Sequence, residues 1–283
     1  MSLRTVARDD FTNARRSYVV LGVVGVFTAL VALILGADSG HHAHPYRGLF
    51  DVSFFVFLVL PIIVAPLAYL AIAGDRDGGA IKYAMGLPNT RSEYVLGKFL
   101  SRLSVAVAAV LAALAVGFLV AAATYQEAPA PMRFVRFGVV SLLCVFSFVG
   151  IYVGISAATA SRSRAMLGVF GAYFLLVPFW FGFLPVIGLP ALLDTAADLL
   201  GTTLTEDTRA FVRSLSPATS YLFGTKFVYA GLFPTPYEAM NQQIGTAPDE
   251  IYTQFWFNSL VMLAWGAGSL LVGYVSFRRS ELG

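Results

Sequence analysis

The chain has 283 residues, 58% of them hydrophobic and only 12% charged, with a mean hydropathy of +0.74. Soluble domains carry roughly a quarter charged residues, so a soluble fold of this composition would expose an oily surface, and a polytopic all-α membrane protein is expected instead. The lone Cys144, set in an apolar run, excludes an intrachain disulfide, the net charge of +3 says little by itself, and no nucleic-acid partner is expected.

Residues 1–283 read as a single membrane domain, because no stretch is long and polar enough to form a soluble one. Met1–Ser17 comes first. Leu3, Val6, Ala7, Phe11 and Ala14 fall at helical spacing, with Arg4, Arg8, Asp9, Arg15 and Arg16 largely elsewhere on the wheel. This predicts an amphipathic helix lying along the membrane surface.

A bilayer core of about 30 Å needs roughly 20 apolar residues of helix. Six segments meet this: Tyr18–Leu35, Val52–Ala73, Leu103–Ala123, Phe137–Ala160, Met166–Ile187 and Phe255–Phe277. The first is read as retained, since no small-residue cleavage site clearly follows it and it is long for a signal peptide's apolar region. With six spans, Arg4, Arg8, Arg15, Arg16, Arg76, Lys82, Arg91, Lys98, Arg102, Arg162, Arg164, Arg278 and Arg279 share one side. The other side has only Arg47, Arg133, Arg136, Arg209, Arg213 and Lys226. Basic loops stay in the cytoplasm, so both termini are expected there.

The first outer loop holds His41, His42 and His44, residue types that bind transition metals. Adjacent side chains on an irregular loop rarely converge on one ion, so these are weak candidates and no metal site is assigned. The segment Gly74–Lys98 carries more information. Asp75, Arg76 and Asp77 precede Gly78 and Gly79. Ile81, Tyr83, Ala84, Met85 and Leu87 then form a short helical patch, closed by Gly86 and Pro88. Thr90 and Glu93 have capping-box spacing and should start a helix that runs into the third span. A short helix across the membrane face suits the docking of a soluble partner.

In the fourth span, Gly150 and Gly154 permit close helix approach, either within the chain or between copies. Pro61, Pro66, Pro178 and Pro185 interrupt the second and fifth spans. Residues 188–254 form a long outer segment, with short helices expected at Ala191–Leu200 and Glu206–Leu215 and many acidic side chains. Pro217–Phe233 is apolar but contains Gly224, Lys226 and Gly231. As a seventh span it would move Arg278 and Arg279 outside, so an outer re-entrant element is preferred.

No P-loop occurs, because Gly97-Lys98 is followed by Phe99. No span contains histidine, and Ser147 and Ser156 read as packing or back-bonding hydroxyls. No catalytic residue or cofactor site is therefore assigned. The spans carry almost no charge at their centres, which disfavours an ion-driven carrier and points to an outside energy source.

This pattern resembles the ABC-2 type permeases, the membrane subunits of type V ABC transporters, including the NosY-like group. The likeness covers nearly the whole chain and is sharpest over Leu87-Pro88-Asn-Thr-Arg91-Ser92-Glu-Tyr-Val-Leu96-Gly97-Lys98. Ala80 and Gly86 depart from the common pattern of the family.

The resemblance implies that Asp75, Arg76, Asp77, Gly79, Ile81, Lys82, Tyr83, Met85 and Leu87 couple the chain to a separate ATPase subunit, which binds ATP and magnesium. It also implies that residues 1–17 form a connecting helix. Two ATPase copies and a second permease, identical or paralogous, would complete an exporter in the lipid of the cell membrane. An ion-gradient-driven transporter, or a non-transport membrane scaffold or enzyme, is the alternative. The apolar spans favour an amphipathic or lipid-like cargo, and the histidines leave copper-related cargo open.

Overall fold

A computed structural model describes residues 7–8, 10–12, 18–86, 90–183, 187–229 and 250–280. Among these every regular element is helical. The helices are α1 (Tyr18–Asp38), α2 (Tyr46–Ala68), α3 (Ala73–Asp77), α4 (Ala80–Gly86), α5 (Arg91–Thr124), α6 (Pro131–Ala158) and α7 (Arg162–Phe174). A π turn, Leu175–Phe179, continues α7. Then follow α8 (Leu189–Leu199), α9 (Glu206–Ser214), α10 (Pro217–Tyr229), a 3-10 turn at Ile251–Thr253 and α11 (Phe255–Arg279).

Five of these stretches are long and apolar enough to cross a membrane: Val20–Asp38, Tyr46–Asp77, Arg91–Thr124, Pro131–Ala158 and Phe255–Arg279. The protein is accordingly a multi-pass membrane protein. The expected fifth span differs from the sequence reading. Its α-helical part has only 13 residues before the π turn, which contains Pro178. The helix stops at Gly182, whose φ of +87° only glycine adopts without strain. Leu184–Val186, including Pro185, lie outside the described residues.

Helix α6 forms the centre of the bundle and packs against α2, α5, α7, α10 and α11. Its second half is almost entirely buried, with Cys144, Val145, Phe148, Val149 and Tyr152 fully so, while Met132, Val135 and Val139 near its start remain exposed. Its tightest neighbour is α11. A Cβ on Gly150 would strike the backbone of Gly266, and one on Gly154 the backbone of Ser269. The two glycines therefore serve a contact within the chain. Ser147 Oγ donates to Met262 O across the same seam.

The segment that the sequence left ambiguous forms α10, whose 13 residues rise about 20 Å, short of a bilayer core of about 30 Å. Tyr221, Leu222, Phe223 and Tyr229 are buried, and α10 packs against α2, α6 and α11. Residues 230–233 of that segment lie outside the described residues.

The two short helices expected before it are present as α8 and α9. The end of α9 is pinned to the bundle by indoles: Trp180 Nε1 donates to Val212 O and Arg213 O, both at 3.1 Å, and Trp265 Nε1 donates to Leu215 O at 2.7 Å. Asp194 pairs with Arg209, and Asp207 accepts from the Tyr252 hydroxyl.

Candidate docking site

The α3–α4 segment sits at the end of the bundle where α6 and α11 finish and α5 begins. Ser156 Oγ of α6 accepts from both Ile72 N and Ala73 N at 3.0 Å, so the start of α3 is capped by a neighbouring helix. The role of Ser156 is thus contact between elements. Gly79, with φ of +74°, turns the chain from α3 into α4. Helix α4 then lies with Ile81 buried at 3% exposure while Tyr83 is 84% exposed. Lys82 and Gly86 are also exposed, with Ala84 and Met85 half-buried.

The charged residues before α4 turn inward. Asp75 Oδ2 accepts from the Tyr94 hydroxyl at 2.5 Å and pairs with Lys98 Nζ at 2.8 Å. Lys98 also bonds Asp10 Oδ1 at 2.8 Å, and Arg102 reaches the same oxygen at 3.1 Å. Asp10 is 9% exposed. Two cations meet this buried carboxylate, and the network ties residues 10–12, which are helical, to α5 and α3.

Arg76 Nη1 donates to Ala157 O at 3.4 Å and Thr159 O at 3.3 Å, at the end of α6. Arg91 Nη1 donates to the carbonyls of Phe277, Arg278 and Ser280 at 2.7–2.9 Å, at the end of α11. Both cations satisfy orphan carbonyls at the negative end of a helix dipole, and both lie over the Phe277 ring, at 5.7 and 5.6 Å. Asp77 pairs with Arg162 at 3.3 Å in a more exposed position. The expected capping box is formed: Thr90 Oγ1 accepts from Glu93 N, and the Glu93 carboxylate accepts from Thr90 N.

The residues expected to meet a partner therefore divide. Asp75, Arg76 and Ile81 hold the segment to the bundle. Lys82 and Tyr83 project from it, with Asp77, Gly79 and Met85 between. Leu87, together with most of residues 1–17, lies outside the described residues. The sequence reading overlooked Asp10, Tyr94, Lys98 and Arg102 as a set. The four-residue spacing of Tyr94, Lys98 and Arg102 was a usable sign, because it puts all three on one face of α5.

At the opposite end the histidines do not converge. His42 Nδ1 bonds Asp38 Oδ1 at 2.7 Å, and the His44 ring lies against Tyr46. Asp38 also accepts from the Tyr125 hydroxyl at 2.8 Å. Burial, reinforced by the Asp38 carboxylate, raises the Tyr125 phenol well above its usual range, so it remains a donor at neutral pH. Among the described residues no three His, Cys, Asp or Glu side chains are grouped to hold a metal.

Comparison with known proteins adds to this geometry. The profile of the family described as "ABC-2 family transporter protein" matches residues 4–282. A protein of Pseudomonas aeruginosa named "Probable ABC transporter permease protein NosY" is 28% identical over 182 residues, covering 61% of this chain and 66% of the relative. Its namesake in Stutzerimonas stutzeri is 28% identical over 181 residues, covering 61% and 65%. The chain thus spans slightly less than two thirds of the length of the curated relatives it matches.

Proposed function

The chain belongs to the ABC-2 family of transporter proteins, and from that premise we propose that it is the permease subunit of an ATP-driven exporter, docked through α4 onto a separate ATPase subunit. The observation that carries this reading is the exposed Lys82 and Tyr83 on a short helix whose preceding flank is bonded to two different long helices, α5 and α6. A docking element must be exposed where it meets its partner and stiff where it meets the spans. α3–α4 has both properties.

In this account ATP draws two ATPase subunits together, and each pushes α4 of one permease copy. The push passes through Arg76 and Ser156 into α6, the central helix, and through Asp75 and Lys98 into α5. A bistable element that both sites bias is what such coupling requires. The α7–π run serves as the sixth crossing, α10 as an outer re-entrant helix, and both termini lie in the cytoplasm of a cell-membrane protein. Hydrolysis of ATP belongs to the partner, and the cargo is amphipathic or lipid-like.

Co-expression with a candidate ABC ATPase subunit, followed by purification in mild detergent, tests the proposal. The two should co-purify, and transport into vesicles should need ATP. Transport that persists without ATP under an ion gradient would sink it.

A further inference from the structure

We propose that the groove between α6 and α11 is a binding site for an anionic phospholipid, whose acyl chain lies in the groove and whose headgroup phosphate is held by Arg164 and Arg279. The inference rests on these helices crossing a bilayer and not on coupling to an ATPase.

The groove is open to the side and offers about 470 Å³ between Ile151, Ile155 and Ala158 of α6 and Trp265, Gly268 and Val272 of α11, a volume within the range of ligand sites. Its floor exists because Gly150 and Gly154 let the two backbones touch. A Cβ added to Gly268 would meet nothing within 4 Å, so the space beside it is open. An apolar surface facing a void forfeits its dispersion contacts, and in a bilayer the nearest filler is an acyl chain.

The length fits one leaflet. From Ala264 to Gly273 the lining covers about 14 Å at 1.5 Å per residue, close to half of a core of about 30 Å. Arg279 comes 14 residues after Trp265, about 21 Å further on, which is headgroup depth if Trp265 lies near the midplane.

The charge fits as well. Arg279 is seven residues beyond Val272, on the same face of α11. Beyond the α6 wall, a Cβ on Gly168 of α7 would touch the groove residue Ile155 at 2.7 Å, and Arg164 lies one turn before Gly168 on that face of α7. Both arginines are exposed, and among the described residues neither has a carboxylate within ion-pair distance. Guanidinium forks match phosphate. A second copy packed symmetrically on this groove would instead bring identical arginines together.

Trp265 is a built-in reporter. In a chain carrying Trp180→Phe and Trp256→Phe, it is the only remaining indole. Reconstituted into vesicles, this chain should be quenched by chain-brominated phosphatidylglycerol at about 25-fold lower mole fraction than by brominated phosphatidylcholine, about fivefold for each of the two cations near the membrane surface. Arg164→Gln with Arg279→Gln should remove the preference. Gly268→Leu, which fills open space, should weaken quenching by both lipids.

Native mass spectrometry of the chain with its tryptophans intact gives a second readout: one retained phosphatidylglycerol, lost in the double arginine variant. Equal quenching by the two lipids, a preference that survives loss of both arginines, or no effect of Gly268→Leu would each overturn the proposal. So would an unquenched Trp265 in a dimer, which would assign the groove to a second copy.

Discussion

Lys98 is the cation that joins two acidic residues of the α3–α4 end. It bridges Asp10 and Asp75, residues separated by almost the whole of α1 and α2. Removing one member of a buried ionic network leaves its partners under-compensated, at a cost of about 3–5 kcal/mol for a simple pair. Here Arg102 still serves Asp10 and Tyr94 still serves Asp75. Lys98→Met should therefore cost less, about 2 kcal/mol, and lower the thermal unfolding midpoint in detergent, while Lys98→Arg should recover most of the loss. The acidic and basic residues of this end were visible in the sequence as a topology signal. Their pairing was not, because Asp10 and Lys98 meet only after two crossings have brought them back to the same end.

At the scale of elements, two features follow local rules and can be tested locally. Thr90→Ala removes the cap of α5 and should cost about 1 kcal/mol of stability. The capping box was legible because its spacing is fixed by one helical turn. Gly150→Ala and Gly154→Ala drive a methyl group into the α11 backbone, which cannot yield as a side chain would, and each should lose about 1–3 kcal/mol. Gly25→Ala on α1 meets nothing within 4 Å and should be neutral or slightly stabilising in the same assay. The close-packing motif was readable in the sequence, but its partner was not. Gly266 and Gly273 are seven residues apart, and only the packing of α6 on α11 shows that they face Gly150 and Gly154. The π turn after α7 was equally hidden: Pro178 marked an interruption without saying how the backbone would absorb it.

Across the whole molecule, hydropathy alone revealed a multi-pass helical protein, because lipid requires every backbone group of a span to be satisfied internally. Burial order was not legible, since α6 and the lipid-facing helices are similarly apolar in sequence. The short helix of the proposed docking segment was legible by its punctuation: glycines, an apolar patch and a capped restart. Its orientation depended on contacts with α5, α6 and α11 that no local pattern encodes. The account reduces to one claim, that the exposed face of α4 is where an ATPase subunit binds. A photo-crosslinking amino acid placed at Tyr83, compared with one at Leu200 on the opposite end and similarly exposed at 78%, tests it most directly. The account predicts a covalent adduct with the co-expressed ATPase subunit from position 83 and none from position 200. Adducts from neither position, or from 200 alone, in a complex that still co-purifies would contradict it.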